Sequence, residues 1–499
     1  MARRTRSGTE FSPYGLLDAP KMTRPLEVIR LEFSIADHLR ASVEDADRRA
    51  DRMDEADGWE ADNDDVECAP PSPLSSLPPS PMHSCTPSLP SSQSSSPSPL
   101  PPPRIPPPPA PAGAVERRRQ NAQASTRRAA RRKKAHADRT PYDRIPDARY
   151  SQAHREQAAH TVDFDFGDGF VPSGVWVGPR SKGQPQRPTT LAEIHERGDD
   201  VLEWNGRDPK LIVDSEGRII TILLGTPEDP DWQDIVRNTV KAMARARRIA
   251  RRQGAFRAGS IHRRSRYLPL TSGASFGGGQ KRPGNLRNSR LFRLLQVLLQ
   301  NRSIRRIAGF QSCGFAFYAP KLYRYYCKIL RALFDHHPEL SHNFNNSVFP
   351  AATFNCGSAV TFQHCDMLNL VHGMCPVTSG GHFDHKIGGH IYLKELKLAV
   401  EFPSGSTVLI TSGLIHHGNT PIQENETRYS MTQFAATGLF RWATYGFQSA
   451  KSLLAQPGGK VIRDGYDGVP GSRWAWALDL FSKVDDLVKD RAAVFESSV

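Results

Sequence analysis

The chain has 499 residues, a formal net charge of +14 and only 38% hydrophobic residues, which favours one packed core over two or three full domains. It contains no run of about 18 apolar residues, so we expect no membrane association. Its seven cysteines form no CxxC pair, which argues against a secreted disulfide framework. The basic excess favours nucleic acid as the partner, because clustered lysine and arginine release counterions from phosphates.

Residues 1–160 predict a disordered N-terminal region. Residues 41–66 are acidic, residues 70–111 are dominated by Ser and Pro, and residues 117–134 are basic. Such compositions bury too little apolar surface to offset the entropy of ordering the chain. The run Arg127-Arg128-Ala129-Ala130-Arg131-Arg132-Lys133-Lys134 resembles a nuclear-import signal or a nucleic-acid-binding tail, so we expect a nuclear protein.

Residues 161–268 predict a hairpin and a basic helix that extend the next domain at its N-terminal side. Apolar residues alternate over residues 210–224 on either side of Ser215-Glu216-Gly217, which predicts a β-hairpin. Residues 231–252 have helix-compatible composition and end in a run of arginines, which the helix dipole favours at this end. These arginines form either a solvated face or a phosphate-contacting surface, and the sequence supports both interpretations equally.

Residues 269–450 predict the main folded domain, which makes the chain α+β. Apolar residues at helical spacing predict helices over residues 287–299 and 321–336. After residue 349 the pattern changes to short strands separated by Gly, Pro and Asn, as in a jelly roll. Residues 451–499 predict a C-terminal tail with a short helix.

Three short motifs in the β-rich segment suggest chemistry: His364-Cys365-Asp366, His416-His417 and Arg428-Tyr429-Ser430. Residues two apart on a strand share a face, so His364 and Asp366 are expected to point together while Cys365 points away. One carboxylate with two imidazoles is the facial triad of non-haem Fe(II) oxygenases, which leaves coordination positions open for a co-substrate and dioxygen. Arg428 and Ser430 are suited to hold a co-substrate carboxylate.

Other metal sets are possible on the residues alone. The triplet His382-Phe383-Asp384 has the same form, but glycine pairs flank it and favour a loop. Alternation along a strand does not decide between the adjacent His416 and His417. Further histidines lie nearby, namely His372, His385 and His390. Two features favour His364-Cys365-Asp366 over this second triplet. An apolar run precedes His364, and a second His and then an Arg follow at later positions.

The segment over residues 276–447 resembles the TET/JBP-like branch of 2-oxoglutarate oxygenases, in particular a large fungal group of such domains. The resemblance covers about a third of the chain, and its specific part is the set of iron-site motifs. The motifs that carry it are Ser275-Phe276-Gly277-Gly278-Gly279-Gln280, Ile307-Ala308-Gly309-Phe310, Ala351-Ala352-Thr353-Phe354-Asn355, His364-x-Asp366-x-x-Asn369-Leu370, Gly388-Gly389-His390, Phe402-Pro403-x-Gly405-Ser406-Thr407 and Asn425-Glu426-Thr427-Arg428-Tyr429-Ser430.

The resemblance implies a double-stranded β-helix (jelly-roll) core with supporting helices, and it implies a role for each residue of the site. Iron would be bound by His364, Asp366 and a distal His. The fungal group has this His two positions before the Asn of Asn-Thr-Pro, here Asn419-Thr420-Pro421, which favours His417 over His416. The resemblance further implies that 2-oxoglutarate is held by Arg428 and Ser430, and that substrate is contacted by Asn369 and His390. The chain departs from the group in having Cys365 where Arg is usual and His416 where Ser is usual, and neither change removes a ligand.

These features together predict a nuclear, monomeric Fe(II)/2-oxoglutarate-dependent dioxygenase that oxidises 5-methylcytosine in DNA. Because a methyl group inside a duplex is out of reach, the base is expected to be extruded into a pocket beside Asn369. The alternatives are a 2-oxoglutarate hydroxylase of protein or RNA, and an inactive DNA-binding remnant of a mobile element. A purely structural jelly roll would leave the presence of Arg428 and Ser430 as coincidence.

Overall fold

The structure, a computed structural model, describes residues 3–4, 10–11, 158–167, 175–179, 187–255, 267–277, 280–286, 290–468 and 472–495. The acidic, Ser/Pro-rich and basic segments predicted before residue 135 lie outside the described residues. Near the N-terminus, β1 (Arg3–Arg4) pairs antiparallel with β2 (Glu10–Phe11). The remaining elements build a mixed α+β fold with two further sheets.

The larger sheet has nine strands among the described residues. In spatial order they are β3 (Ala158–Thr161), β5 (Lys210–Val213), β6 (Ile219–Gly225), β13 (Thr407–Ile410), β10 (Cys375–His382), β15 (Thr427–Phe434), β9 (Ala351–Cys356), β7 (Leu268–Ser275) and β8 (Gly284–Asn285). Among the described strands of this sheet, β3 and β5 are the one parallel pair. The predicted hairpin is present as β5 and β6, and β6 pairs with β13, so the hairpin extends this sheet.

The smaller sheet has four strands, in the order β14 (His417–Asn419), β11 (Ile391–Leu393), β12 (Leu398–Val400) and β4 (Asp200–Leu202). An isolated bridge joins His364 to His417 at the free edge of β14. From β9 to β15 the chain therefore passes repeatedly between the two sheets. It visits the small sheet near residue 364, at β11 and β12, and again at β14.

Ten helices accompany the sheets in the described part of the chain. They are α1 (Leu191–Glu196), α2 (Trp232–Arg252), α3 (Phe292–Gln300), α4 (Arg302–Tyr318), α5 (Pro320–His336), α6 (Thr437–Thr444), α7 (Ala450–Leu454), α8 (Gly459–Asp467), α9 (Ser472–Leu478) and α10 (Leu487–Phe495). The predicted basic helix is α2. None of the described helices is both long enough and apolar enough to cross a membrane.

Helix α4 was absent from the sequence prediction, which had two helices where the structure has three. Its two glycines lower its intrinsic helix propensity. Both glycines lie at tight packing contacts, however. A Cβ on Gly309 would come within 2.5 Å of the Asn346 amide nitrogen, and one on Gly314 would overlap the Leu224 side chain. The Asn301 side chain caps the helix by accepting from the backbone N–H groups of Ser303 and Ile304. Tertiary packing and this cap stabilise α4 despite its composition.

The C-terminal segment differs from the predicted tail with one short helix. It contains α7 to α10, and the apolar side chains of Leu453, Trp474 and Phe481 are buried in the main core. The backbone N–H of Ile219, in β6, donates to the carbonyl of Ser482 at 3.0 Å. The sequence predicted little structure here because its apolar runs are short. Helices of this length are stabilised mainly by packing against the rest of the protein.

Helix α2 packs on one face of the larger sheet. A Cβ on Gly380 of β10 would lie 2.8 Å from Val240, which shows how closely the helix approaches the strand. The indole N–H of Trp232 donates to the carbonyl of Gly405 at 3.0 Å. Alternation along β15 turns the Arg428 and Ser430 side chains to the opposite face. We call the face under α2 the outer face and the face bearing Arg428 the inner face.

Candidate metal centre

Three predicted ligands, His364, Asp366 and His417, come together beside β14 of the smaller sheet. One ligand atom from each lies within 4.8 Å of the others, and this is the one such group in the described part of the chain. The Asp366 carboxylate is 3.5 Å from His364 Nε2 and 3.9 Å from His417 Nε2. The two imidazole centroids are 4.4 Å apart. These residues could therefore hold one metal ion.

The backbone explains why the ligands meet although they come from distant segments. His364 and His417 exchange two hydrogen bonds, His364 N–H to His417 O at 3.0 Å and the reverse at 2.8 Å. Such a mutual pair places the two side chains next to each other. The prediction of a regular strand around His364 was wrong, since this segment forms isolated bridges and no strand. Cys365 lies outside the group of three, and its thiol donates to the Gly413 carbonyl at 3.2 Å.

Hydrogen bonds to backbone carbonyls set the tautomer of both imidazoles. His364 Nδ1 lies 2.8 Å from the Phe362 carbonyl oxygen, and His417 Nδ1 lies 2.9 Å from that of Ile415. A carbonyl only accepts, so each Nδ1 carries a proton, and in the neutral imidazole each Nε2 then presents a lone pair toward the Asp366 carboxylate. Two lone pairs and a carboxylate attract a cation placed among them. The donor set therefore fits a metal ion with nitrogen and oxygen ligands.

Asn369 holds the carboxylate of this group. Its side-chain amide donates to Asp366 Oδ2 at 3.1 Å, and the same nitrogen lies 3.1 Å from Ser412 Oγ and 3.3 Å from Cys375 Sγ. Burial raises the pKa of the Cys375 thiol, so this neighbour is neutral. Partners of this kind orient metal-binding carboxylates. A contact between Asn369 and substrate stays a prediction.

Arg428 is a buried cation whose guanidinium is only partly satisfied. Its Nη1 donates to the carbonyl of Ala359 and to Asn419 Oδ1. Within the described residues, Nε and Nη2 have no hydrogen-bond partner. Burial lowers the pKa of Arg428 to about 10, which leaves the side chain charged at neutral pH. A buried charge without a counterion is costly, so this arrangement fits an anionic ligand.

The surroundings of Arg428 support the same interpretation. The guanidinium carbon lies 5.2 Å from the ring centroid of Phe402 and 5.7 Å from that of Phe383. The Ser430 hydroxyl, on the same face of β15, accepts from the Asn355 amide at 2.9 Å. Because that bond uses only a lone pair, the Ser430 proton is available to a ligand. Cation and hydroxyl together can bind a carboxylate.

The structure separates the neighbouring histidines between which strand alternation could not decide. His416 Nδ1 lies 2.5 Å from the Glu395 carboxylate, so His417 and not His416 belongs to the group of three. His390 is buried, its Nδ1 lies 2.9 Å from Thr420 Oγ1, and burial lowers its pKa to about 4. A contact between His390 and substrate stays a prediction. His382, expected in a loop, is the last residue of β10, and it is exposed.

Two site residues were given no role from the sequence. Asn419 links the guanidinium to the metal-binding strand, because it contacts Arg428 and lies two residues after His417 on β14. Phe402 borders the guanidinium. Both residues belong to motifs that stood out in the sequence, but their contacts depend on how the two sheets face each other.

Comparison with known proteins gives matches among solved structures but none among family models or curated proteins. Among solved structures, a structure of NgTET1 in complex with 5mC DNA is similar at a TM-score of 0.35 and 15% sequence identity. The match covers 48% of this chain and 83% of that one.

Proposed function

We propose that this chain is an Fe(II)/2-oxoglutarate-dependent dioxygenase that oxidises 5-methylcytosine in DNA. The observation that carries the proposal is the combination of a three-donor metal group with a buried, partly unpartnered Arg428, which contacts Asn419 on the same strand as His417. The repeated passage of the chain between two sheets, from β9 to β15, supports a double-stranded β-helix as the core.

In this proposal His364, Asp366 and His417 hold Fe(II), and Arg428 with Ser430 holds the far carboxylate of 2-oxoglutarate. The bound metal and co-substrate would supply the activation of dioxygen. His417 and Asn419 share a face of β14, and residues two apart on a strand are separated by about 7 Å. Because Asn419 contacts Arg428, the guanidinium lies beside the strand of His417, where it would hold the far carboxylate of the co-substrate.

The proposal of DNA as substrate rests on the basic sequence and on the motif resemblance described above. Asn369 is proposed to face the base from beside Asp366. The next residue toward Asp366, Leu368, is a half-exposed apolar side chain at 49% exposure. We propose that Leu368 lies at the entrance and forms an apolar rim against which an extruded base packs. A nuclear location and a monomeric state complete the proposal.

Mass spectrometry of a methylcytosine oligonucleotide tests this function. The protein is incubated with Fe(II), 2-oxoglutarate and oxygen, and His364→Ala and His382→Ala are run beside it. We expect the oligonucleotide to gain oxygen with wild type and His382→Ala, and to stay unchanged with His364→Ala. His382 is the matched control, because it belongs to the second His-x-Asp triplet but lies outside the metal group.

The other outcomes are equally informative. Succinate formation without oxidised DNA would reject the DNA substrate, and turnover of RNA or a peptide would then replace it. The absence of both succinate and oxidised product in wild type would reject the enzyme and favour an inactive DNA-binding protein.

A further inference from the structure

Helix α2 carries a stripe of exposed cations along its solvent side. The members are Arg237, Lys241, Arg245, Arg248 and Arg252, and all five are exposed. At 100° per residue they project within an arc of about 80°. The buried residues of the helix, among them Val236, Met243 and Ala250, project from the opposite side. The cations therefore form one continuous surface, which we call the α2 stripe.

The α2 stripe is separate from the candidate metal centre. Helix α2 lies on the outer face of the larger sheet, where its Val236 and Val240 contact Gly380 of β10. Arg428 and Ser430 lie on the inner face of the same sheet. A base bound at the metal is thus on the other side of the sheet from the stripe, and the two surfaces cannot bind the same nucleotide.

The fold does not neutralise the stripe. Arg237 pairs with Asp234 one turn earlier. Lys241, Arg245, Arg248 and Arg252 make no ion pair with another described residue. The sequence of α2 contains seven basic residues and one acidic residue, so the helix carries a net charge of +6. Solvated cations at this density repel one another, and a polyanion relieves that repulsion.

We propose that the α2 stripe binds the phosphate backbone of duplex DNA, outside the catalytic pocket and without sequence preference. The stripe spans 15 residue steps, which is about 22 Å of helix. Duplex DNA carries one charge per about 1.7 Å of axis, so several phosphates lie within reach of five cations. The stripe anchors DNA segments beyond the nucleotide being modified. DNA is thus both the ligand of the stripe and the substrate in the proposed function. Binding to the stripe, however, does not depend on iron or on methylation.

Salt-dependent binding to an unmethylated duplex of 20 base pairs tests the proposal, with full-length protein and without iron or 2-oxoglutarate. The stripe variant carries Lys241→Gln, Arg245→Gln and Arg248→Gln. Each phosphate contact contributes about 0.9 to the slope of log K against log salt, so the slope should become shallower by about 2.7. We expect affinity at low salt to fall roughly tenfold or more.

A control variant removes three charges elsewhere, through Lys328→Gln, Lys460→Gln and Lys489→Gln, which are all exposed. It matches the stripe variant in net charge. Its slope should differ from the wild-type slope by no more than about 0.9, which is the contribution of one phosphate contact. Circular dichroism and melting establish that both variants are folded. Equal slopes for the stripe and control variants would overturn the proposal, since only overall charge would then matter. Because the assay needs no turnover, its failure is distinct from failure of the proposed dioxygenase.

Discussion

The two faces of the larger sheet use positive charge in opposite ways. On the inner face, Arg428 is 1% exposed, and two of its nitrogens have no hydrogen-bond partner among the described residues. On the outer face, the cations of α2 are exposed along one side of the helix. Strand β15 contributes to both faces, because Tyr429 points outward and its neighbours Arg428 and Ser430 point inward.

The difference in burial indicates different roles for Arg428 and for the cations of α2. An exposed arginine costs the fold little, and salt readily screens its interactions. A buried arginine without a counterion and with most of its nitrogens unsatisfied destabilises the fold, and an anionic ligand offsets that cost. Burial and the number of satisfied nitrogens therefore distinguish the two regions better than residue type does.

The largest effect is expected from Arg428→Met, which removes the buried charge and keeps its approximate volume. We expect 2-oxoglutarate affinity to fall about a hundredfold, because hydrogen bonds to charged groups contribute about 1.5–3 kcal/mol each. Stability should stay equal or rise, because an uncompensated charge leaves the interior. Isothermal titration with 2-oxoglutarate and Fe(II), together with thermal melting, measures both quantities.

Arg491→Met is the matched control. Arg491 is also buried, and it donates to the carbonyl of Phe317 and lies over the Phe317 ring at 4.1 Å. Its replacement should lower the melting temperature and leave 2-oxoglutarate affinity unchanged. If Arg428→Met behaves like Arg491→Met, the contrast between a ligand-binding and a packing arginine is wrong.

A smaller effect is expected from Asn369→Ala, which frees the Asp366 carboxylate from one of its partners. Loss of such a partner costs about 10- to 100-fold in metal affinity or activity. Titration of Fe(II) gives the affinity, and succinate formation without DNA gives the activity. Unchanged values in both, with loss of DNA oxidation alone, would make Asn369 a substrate contact and not a positioning residue for Asp366.

The smallest effect concerns acid sensitivity of the interior. Burial lowers the pKa of His372 to about 3, against an ordinary value of 6.5, and neither ring nitrogen has a hydrogen-bond partner among the described residues. Below pH 6.5 the unfolded chain binds a proton that the folded protein excludes, so stability falls as pH falls toward 3. Denaturant unfolding at pH 7 and pH 5 should show wild type losing about 2 kcal/mol more than His372→Leu. Equal losses would show that burial does not keep His372 neutral.

The sequence was sufficient for the parts of the protein that local patterns determine. The β5–β6 hairpin and α2 are present where alternation and composition predicted them. The spacing of His364 and Asp366, with a distal histidine, selected the residues that the fold brings together. Each of these patterns is complete within a short segment.

The sequence could not predict features that depend on distant contacts. Helix α4 contains Gly309 and Gly314, and its existence depends on Asn346 and Leu224 filling the space beside them. Strand alternation could not choose between His416 and His417, because that choice depends on the bridge to His364, and only the motif resemblance favoured His417. The two unsatisfied nitrogens of Arg428 are visible only when all its neighbours are known.

Anaerobic titration of Fe(II), followed by 2-oxoglutarate, tests the central claim most directly, with wild type compared with Asp366→Ala and Asp384→Ala. We predict that wild type and Asp384→Ala bind one Fe(II) and then one 2-oxoglutarate, because Asp384 lies outside the metal group. Asp366→Ala should bind neither tightly. Metal and co-substrate binding that survives in Asp366→Ala, or that fails in wild type, would contradict the assignment of this group as the iron centre.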